Sequence, residues 1–148
     1  STGTKNTRMD RDLEAAVAYV RAYGAKQVIL IGASMGGTAS IELAPEVEVQ
    51  AVVALSPPTS FGRVNALDAV KSMIIPLLLI VAENDPPFTG DARSLETAAA
   101  ATQFLELPGQ QHGTNLFSEH SDQISGILLS FIGRWTDDSL IVVEETES

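Results

Sequence analysis

Three residues in this sequence, Ser34, Asp85 and His112, are of the types and in the order that nucleophilic acyl transfer requires. Ser34 sits in Gly32-Ala33-Ser34-Met35-Gly36-Gly37, a Gly-X-Ser-X-Gly pattern between an apolar run and a helical stretch. A serine held on a sharp strand-to-helix turn has strained backbone angles, and small flanking residues let strand and helix approach while the hydroxyl projects. Gly32, Gly36 and Gly37 therefore read as parts of a nucleophile-bearing turn. The helix that begins there aims its N-terminal amides at the place where a tetrahedral oxyanion would form, and the amide of Met35 is the natural donor.

A serine hydroxyl needs a base, and the base needs an orienting acid. Asp85 follows the apolar run 77–82 in Glu83-Asn84-Asp85-Pro86-Pro87, and His112 follows the run 102–107 in Pro108-Gly109-Gln110-Gln111-His112-Gly113. All three residues come after the ends of expected strands, where parallel sheets gather their ligands. Glu83 and Asp91 are the other carboxylates near enough in sequence to serve as the acid. His120, beside the start of the last helix, is expected to be exposed and without function.

Other chemistries fall away on composition. The chain has no Cys, and its two His stand close together without a cluster of partners, so no metal site and no cofactor is expected. A dinucleotide fingerprint fails because its middle glycine is Ser34, and a phosphate loop fails for want of its Lys. With 9 basic and 19 acidic residues the formal net charge is −10, which leaves no cationic footprint for nucleic acid. The longest apolar runs are strand-sized, far short of the roughly 20 residues a membrane span needs. A cytoplasmic protein is expected. The sequence starts at Ser1 with a polar stretch rather than a signal core, and the native N-terminus is expected to lie further upstream.

The elements that must carry these residues alternate. Apolar runs at 28–31, 51–55, 77–82 and 102–107 are separated by helical patterns at 12–23, 35–44, 66–72 and 92–101, and a final helix spans 124–135. This predicts an α/β domain with a parallel sheet of about four strands and flanking helices. Thr7 or Asp10 is the expected cap of the first helix, Asn65 of the third and Asp91 of the fourth, while Pro45 should end the second. Strands in chain order with right-handed crossovers put the crossover helices on one face and leave helix 124–135 alone on the other. Residues 1–136 form the expected domain and 137–148 an acidic tail, within which 140–143 reads as a short edge strand or a frayed end.

From Met9 to Trp135 the chain resembles the C-terminal half of an α/β-hydrolase, near the dienelactone-hydrolase-like and acyl-peptidase-like serine esterases. Gly32 to Gly37 matches the family's nucleophile elbow, Asp85 the acid after the next-to-last strand, and His112 the histidine after the last. The resemblance implies a partial α/β-hydrolase fold with its upstream strands missing. It also implies a serine hydrolase that cleaves carboxylic esters or related small acyl substrates through an acyl-enzyme. In that family a loop among the upstream strands supplies a second oxyanion amide; nothing before Gly24 matches it, and Ser1-Thr2-Gly3-Thr4 resembles the end of the turn that precedes this half. The alternative is a truncated, non-catalytic half-domain or binding module that keeps the triad residues.

Two expectations follow from that reading. Pro57, Pro58, Phe61, Phe88, Leu116 and Phe117 fall in loops that should border the serine, as an apolar acyl pocket or as ordinary loop packing. The strand 28–31 should have one open edge. That edge is expected to be covered by the N-terminal segment, by the tail strand 140–143, or by a second copy in an antiparallel homo-oligomer.

Overall fold

A computed structural model describes residues 2–136 and 142–146, with residues 2–8 and 142–146 as backbone only. The chain runs α1 (Thr2–Ala22), β1 (Val28–Ala33), α2 (Met35–Val47), β2 (Ala51–Leu55), β3 (Ser60–Phe61), β4 (Val64–Asn65) and α3 (Ala66–Ser72). It continues through β5 (Leu77–Ala82), α4 (Phe88–Ala98), β6 (Thr102–Leu107), a 3-10 turn (Gly113–Leu116), α5 (Phe117–Trp135) and β7 (Val142–Thr146). The main sheet has the order β6-β5-β2-β1-β7, and every pair in it is parallel. Four of these strands stand in chain order, as the crossover argument expects.

That order decides what each face of the sheet meets. Val28, Leu30, Val52, Ala54, Leu77 and Leu79 point to one side and pack with Leu13, Val17, Ile41, Val70 and Leu95 of α1 to α4. Ile29, Ile31, Val53, Leu55, Leu78 and Ile80 point to the other, where Leu116, Ile124 and Phe131 cover them. With both faces buried, the central strands have no reason to alternate apolar and polar residues, which is why β1, β2 and β5 read as unbroken apolar runs. α5 buries a single stripe and turns Leu129, 73% exposed, outward.

Several boundaries differ from the sequence reading. α1 begins at Thr2, so neither Thr7 nor Asp10 caps it, and Thr2 to Thr4, expected at the end of a turn, are helical. No Pro interrupts the polar run ahead of Asp12, and its polar residues cost a helix little. α2 passes through Pro45, which lies in its last turn and forfeits one backbone bond there; left-handed Glu48 closes the helix by donating its N–H to the Ala44 carbonyl. α4 starts at Phe88, which puts Asp91 inside its first turn rather than at its cap. Asn65 does cap α3, accepting from the Asp68 N–H. The hairpin of β3 and β4 has two-residue strands, too short for any periodicity to announce it.

The tail supplies the remaining difference. β7 runs parallel to β1, with Val28 beside Val142 and Gly32 beside Thr146. Within the single chain the tail strand covers the edge of β1, and residues 140 and 141 of the expected strand lie outside the described ones. No helix among the described residues is long and apolar enough to cross a membrane.

Candidate active site

β1 delivers Ser34 at its carboxyl end, and the local sequence explains the turn. Ser34 has φ 53° and ψ −123°, a conformation that costs a non-glycine residue about 1–3 kcal/mol and that persists where the surroundings hold it. Those surroundings are backbone bonds: Ser34 N–H donates to the Leu55 carbonyl at 2.8 Å, and the Ser34 carbonyl accepts from Gly37 and Thr38 of α2. The glycines make this closure sterically feasible. A methyl group on Gly32 would overlap the Gly36 carbonyl, and one on Gly37 would stand 3.0 Å from the Gly32 oxygen and 3.2 Å from Ala54 Cβ. Met35 and Gly36 begin the helix, and their amides belong to the first turn, which has no intrahelical acceptor to offer.

The other two residues arrive from β5 and β6. His112 Nδ1 lies 2.7 Å from Asp85 Oδ2, and His112 Nε2 lies 3.0 Å from Ser34 Oγ. Serine, imidazole and carboxylate thus form one hydrogen-bonded row. The Ser34 and Asp85 residues are buried at 7% and 9% exposure, while the His112 side chain is 34% exposed. The geometry is that of a base able to draw the hydroxyl proton, with its second nitrogen held by a carboxylate that fixes the tautomer.

The acid is placed by its own loop. The Thr89 hydroxyl donates to the Ala82 carbonyl at 2.7 Å and accepts from the Asp85 N–H at 3.2 Å, so the first turn of α4 staples the end of β5 to the aspartate. The competing carboxylates are elsewhere: Glu83 is exposed, and Asp91 accepts from the Thr59 N–H at 3.2 Å.

Of the six residues expected to line an acyl pocket, Phe88 meets the row, with its ring centroid 4.2 Å from that of His112. Pro57 packs near Gly37 behind the elbow. Phe61 joins the apolar layer under α1 to α4, and Leu116 and Phe117 the layer under α5, so these three serve the core. His120 is not idle. Its Nε2–H donates to the Pro108 carbonyl at 2.8 Å from a kink in α5, tying that helix to the start of the histidine loop. Two contributing residues carry little or no signal in the sequence: Thr89, whose hydroxyl stands four positions after Asp85, and Ser56, whose hydroxyl accepts the Gly113 N–H. Among the described residues no group of His, Cys, Asp or Glu could hold a metal ion.

A parallel sheet with a serine elbow, a following acid and a histidine at the carboxyl ends of three of its strands defines the α/β-hydrolase fold. The dienelactone hydrolase family model matches residues 1–125, and the chain belongs to that family. Among solved structures, the chain is similar to the esterase domain of a Rhodothermus marinus protein, with 26% identity and a TM-score of 0.75 over 85% of this chain and 68% of that one. It is also similar in fold to a Pyrococcus furiosus esterase, with 18% identity and a TM-score of 0.70 over 84% of this chain and 60% of that one. An α/β-hydrolase from the sediment metagenome of the Mar Chica lagoon in Morocco has 19% identity and a TM-score of 0.72, over 87% and 70% of the two chains. No curated protein matches the sequence.

Proposed function

We propose that the protein is a serine hydrolase that cleaves carboxylic esters of small acyl substrates through an acyl-enzyme. The observation that carries this reading is the unbroken row from Asp85 through His112 to Ser34, at 2.7 and 3.0 Å. Ser34 Oγ attacks the acyl carbon as its proton passes to His112 Nε2. Asp85 holds Nδ1–H and stabilises the imidazolium, and the Met35 amide donates to the oxyanion. The tetrahedral intermediate collapses, the C–O bond to the leaving alkoxide breaks, and His112 returns the proton to that oxygen. Water then attacks the acyl-enzyme along the same path, with His112 again as base, and frees the carboxylic acid. Membership of the dienelactone hydrolase family supports the hydrolytic class.

Labelling with a fluorophosphonate tests the reading. The wild-type protein should take up one label, and Ser34→Ala should take up none and lose turnover of a p-nitrophenyl ester to the background rate. A wild-type protein that stays unlabelled, or a Ser34→Ala protein that labels, overturns the assignment; the first result would favour a binding module that keeps the residues without the reaction.

A further inference from the structure

The histidine has to travel. β6, which carries the His112 loop, and β1, which carries Ser34, are three strand positions apart in the order β6-β5-β2-β1. At about 4.8 Å per strand that is roughly 14 Å, too far for an imidazole to bridge from its own strand end. The loop must therefore cross over β5 and β2, and it needs something to land on.

Ser56, the first residue after β2, stands where the crossing lands. Its Oγ accepts the Gly113 N–H at 3.0 Å, which fixes the peptide joining His112 to Gly113. Ser56 is fully buried and has φ 51°, a left-handed conformation that glycine adopts freely and that costs other residues about 1–2 kcal/mol. A hydroxyl is thus present where the backbone alone would favour its removal. The acceptor is also tied down by its neighbours. The Ser56 N–H donates to the Ile80 carbonyl at 2.8 Å, Pro57 and Pro58 follow with fixed φ, the Thr38 hydroxyl donates to the Pro58 carbonyl at 2.6 Å, and Asp91 accepts from Thr59 N–H. Beyond the anchor, Gly113 lies over Ala33, the residue before the serine.

We propose that Ser56 is a positioning residue for the base, its hydroxyl anchoring the histidine loop over β2 so that His112 Nε2 stays on Ser34 Oγ. This rests on the reading of His112 as the base. Ser56→Gly keeps the left-handed backbone and deletes the anchor; Ser56→Cys keeps the size and replaces the oxygen with a weak sulfur acceptor. In both, kcat for a p-nitrophenyl ester and the rate of fluorophosphonate labelling should fall about 10-fold to 100-fold, the range a displacement of about 1 Å produces, with KM unchanged. The wild type should show a low-field proton NMR signal from His112 Nδ1–H that broadens or vanishes in both variants, while the melting temperature of Ser56→Cys stays near that of the wild type. Variants that keep both the wild-type rate and the low-field signal overturn the proposal, as does a rate loss accompanied only by a matching loss of folded protein. If the wild type fails to label yet its low-field signal disappears in Ser56→Cys, the anchoring stands and the hydrolase reading falls.

Discussion

Two partly buried carboxylates sit in different parts of this molecule and face opposite circumstances. Asp85, at the carboxyl end of β5, meets the His112 imidazole at 2.7 Å and is held by the Thr89 clamp. Asp10, inside α1 where it packs on α2, has one buried oxygen with no hydrogen-bond partner. Its burial, together with the charges of Glu42 and Glu46, pushes the carboxyl up from the ordinary 3.8 to about 6. The same functional group is thus built into a polar row in one region and merely enclosed in the other. Enclosure of an oxygen that nothing bonds favours the neutral form; a carboxylate 2.7 Å from an imidazole nitrogen has a hydrogen-bond partner.

Substitutions that keep the shape and remove the charge should separate the two regions. Asp85→Asn should lower kcat about 10⁴-fold, because an amide no longer holds the imidazole in the tautomer that accepts the serine proton. Stopped-flow or steady-state ester hydrolysis reads this directly, and a loss below about 10-fold would show that Phe88 and the loop alone orient the ring. Phe88→Ala tests that second support. A ring pair worth about 0.5–1.5 kcal/mol corresponds to a rate loss of roughly 2-fold to 12-fold, measurable in the same assay.

Asp10→Asn should do the reverse, leaving the ester rate alone and changing stability. A raised folded-state pKa means that the folded protein binds the extra proton between about 3.8 and about 6, so the stability Asp10 contributes is complete below that window and is lost as pH rises through it. The substitution should therefore raise the urea midpoint at pH 8 and leave it nearly unchanged at pH 4. The gain at pH 8 should be about 1 kcal/mol once solvent screening of the exposed part of the carboxylate is allowed for. Equal effects at the two pH values would place the cause outside ionisation.

The sequence shows the hydrogen-bonded row far better than it shows what holds it. Ser34, Asp85 and His112 are legible because each chemistry needs a residue type at a strand end, and strand ends follow from the apolar runs of β1, β5 and β6. The sequence favours Asp85 over Glu83 and Asp91, but the support of that residue is not legible. It depends on the Thr89 clamp and on Asp91 turning to the Thr59 amide, both of which are contacts across loops. Ser56 and His120 are hidden for the same reason: one bonds 57 residues away, the other 12, and neither belongs to a periodic pattern. Helix starts at Thr2 and Phe88 escape because polar and proline-adjacent residues can begin a helix as easily as precede one. β7 is legible as a short apolar run in an acidic surround, but its partner is fixed by the sheet rather than by the run.

The pairing of β7 with β1 also has a consequence in time. The ladders from β1 to β6 each join strands separated by a single crossover, whereas β7 must return from residue 142 to residue 28. Closing so long a loop carries the largest entropic cost in the sheet, and of the five strands this one is synthesised after the other four. The four strands that bear and border the Ser34 row can therefore assemble first, with the outer edge of the elbow strand filled afterwards. Amide exchange should register that order, fastest along the β1–β7 ladder and slowest along β2–β5, so that the strand presenting the serine is firm on one side and intermittently open on the other.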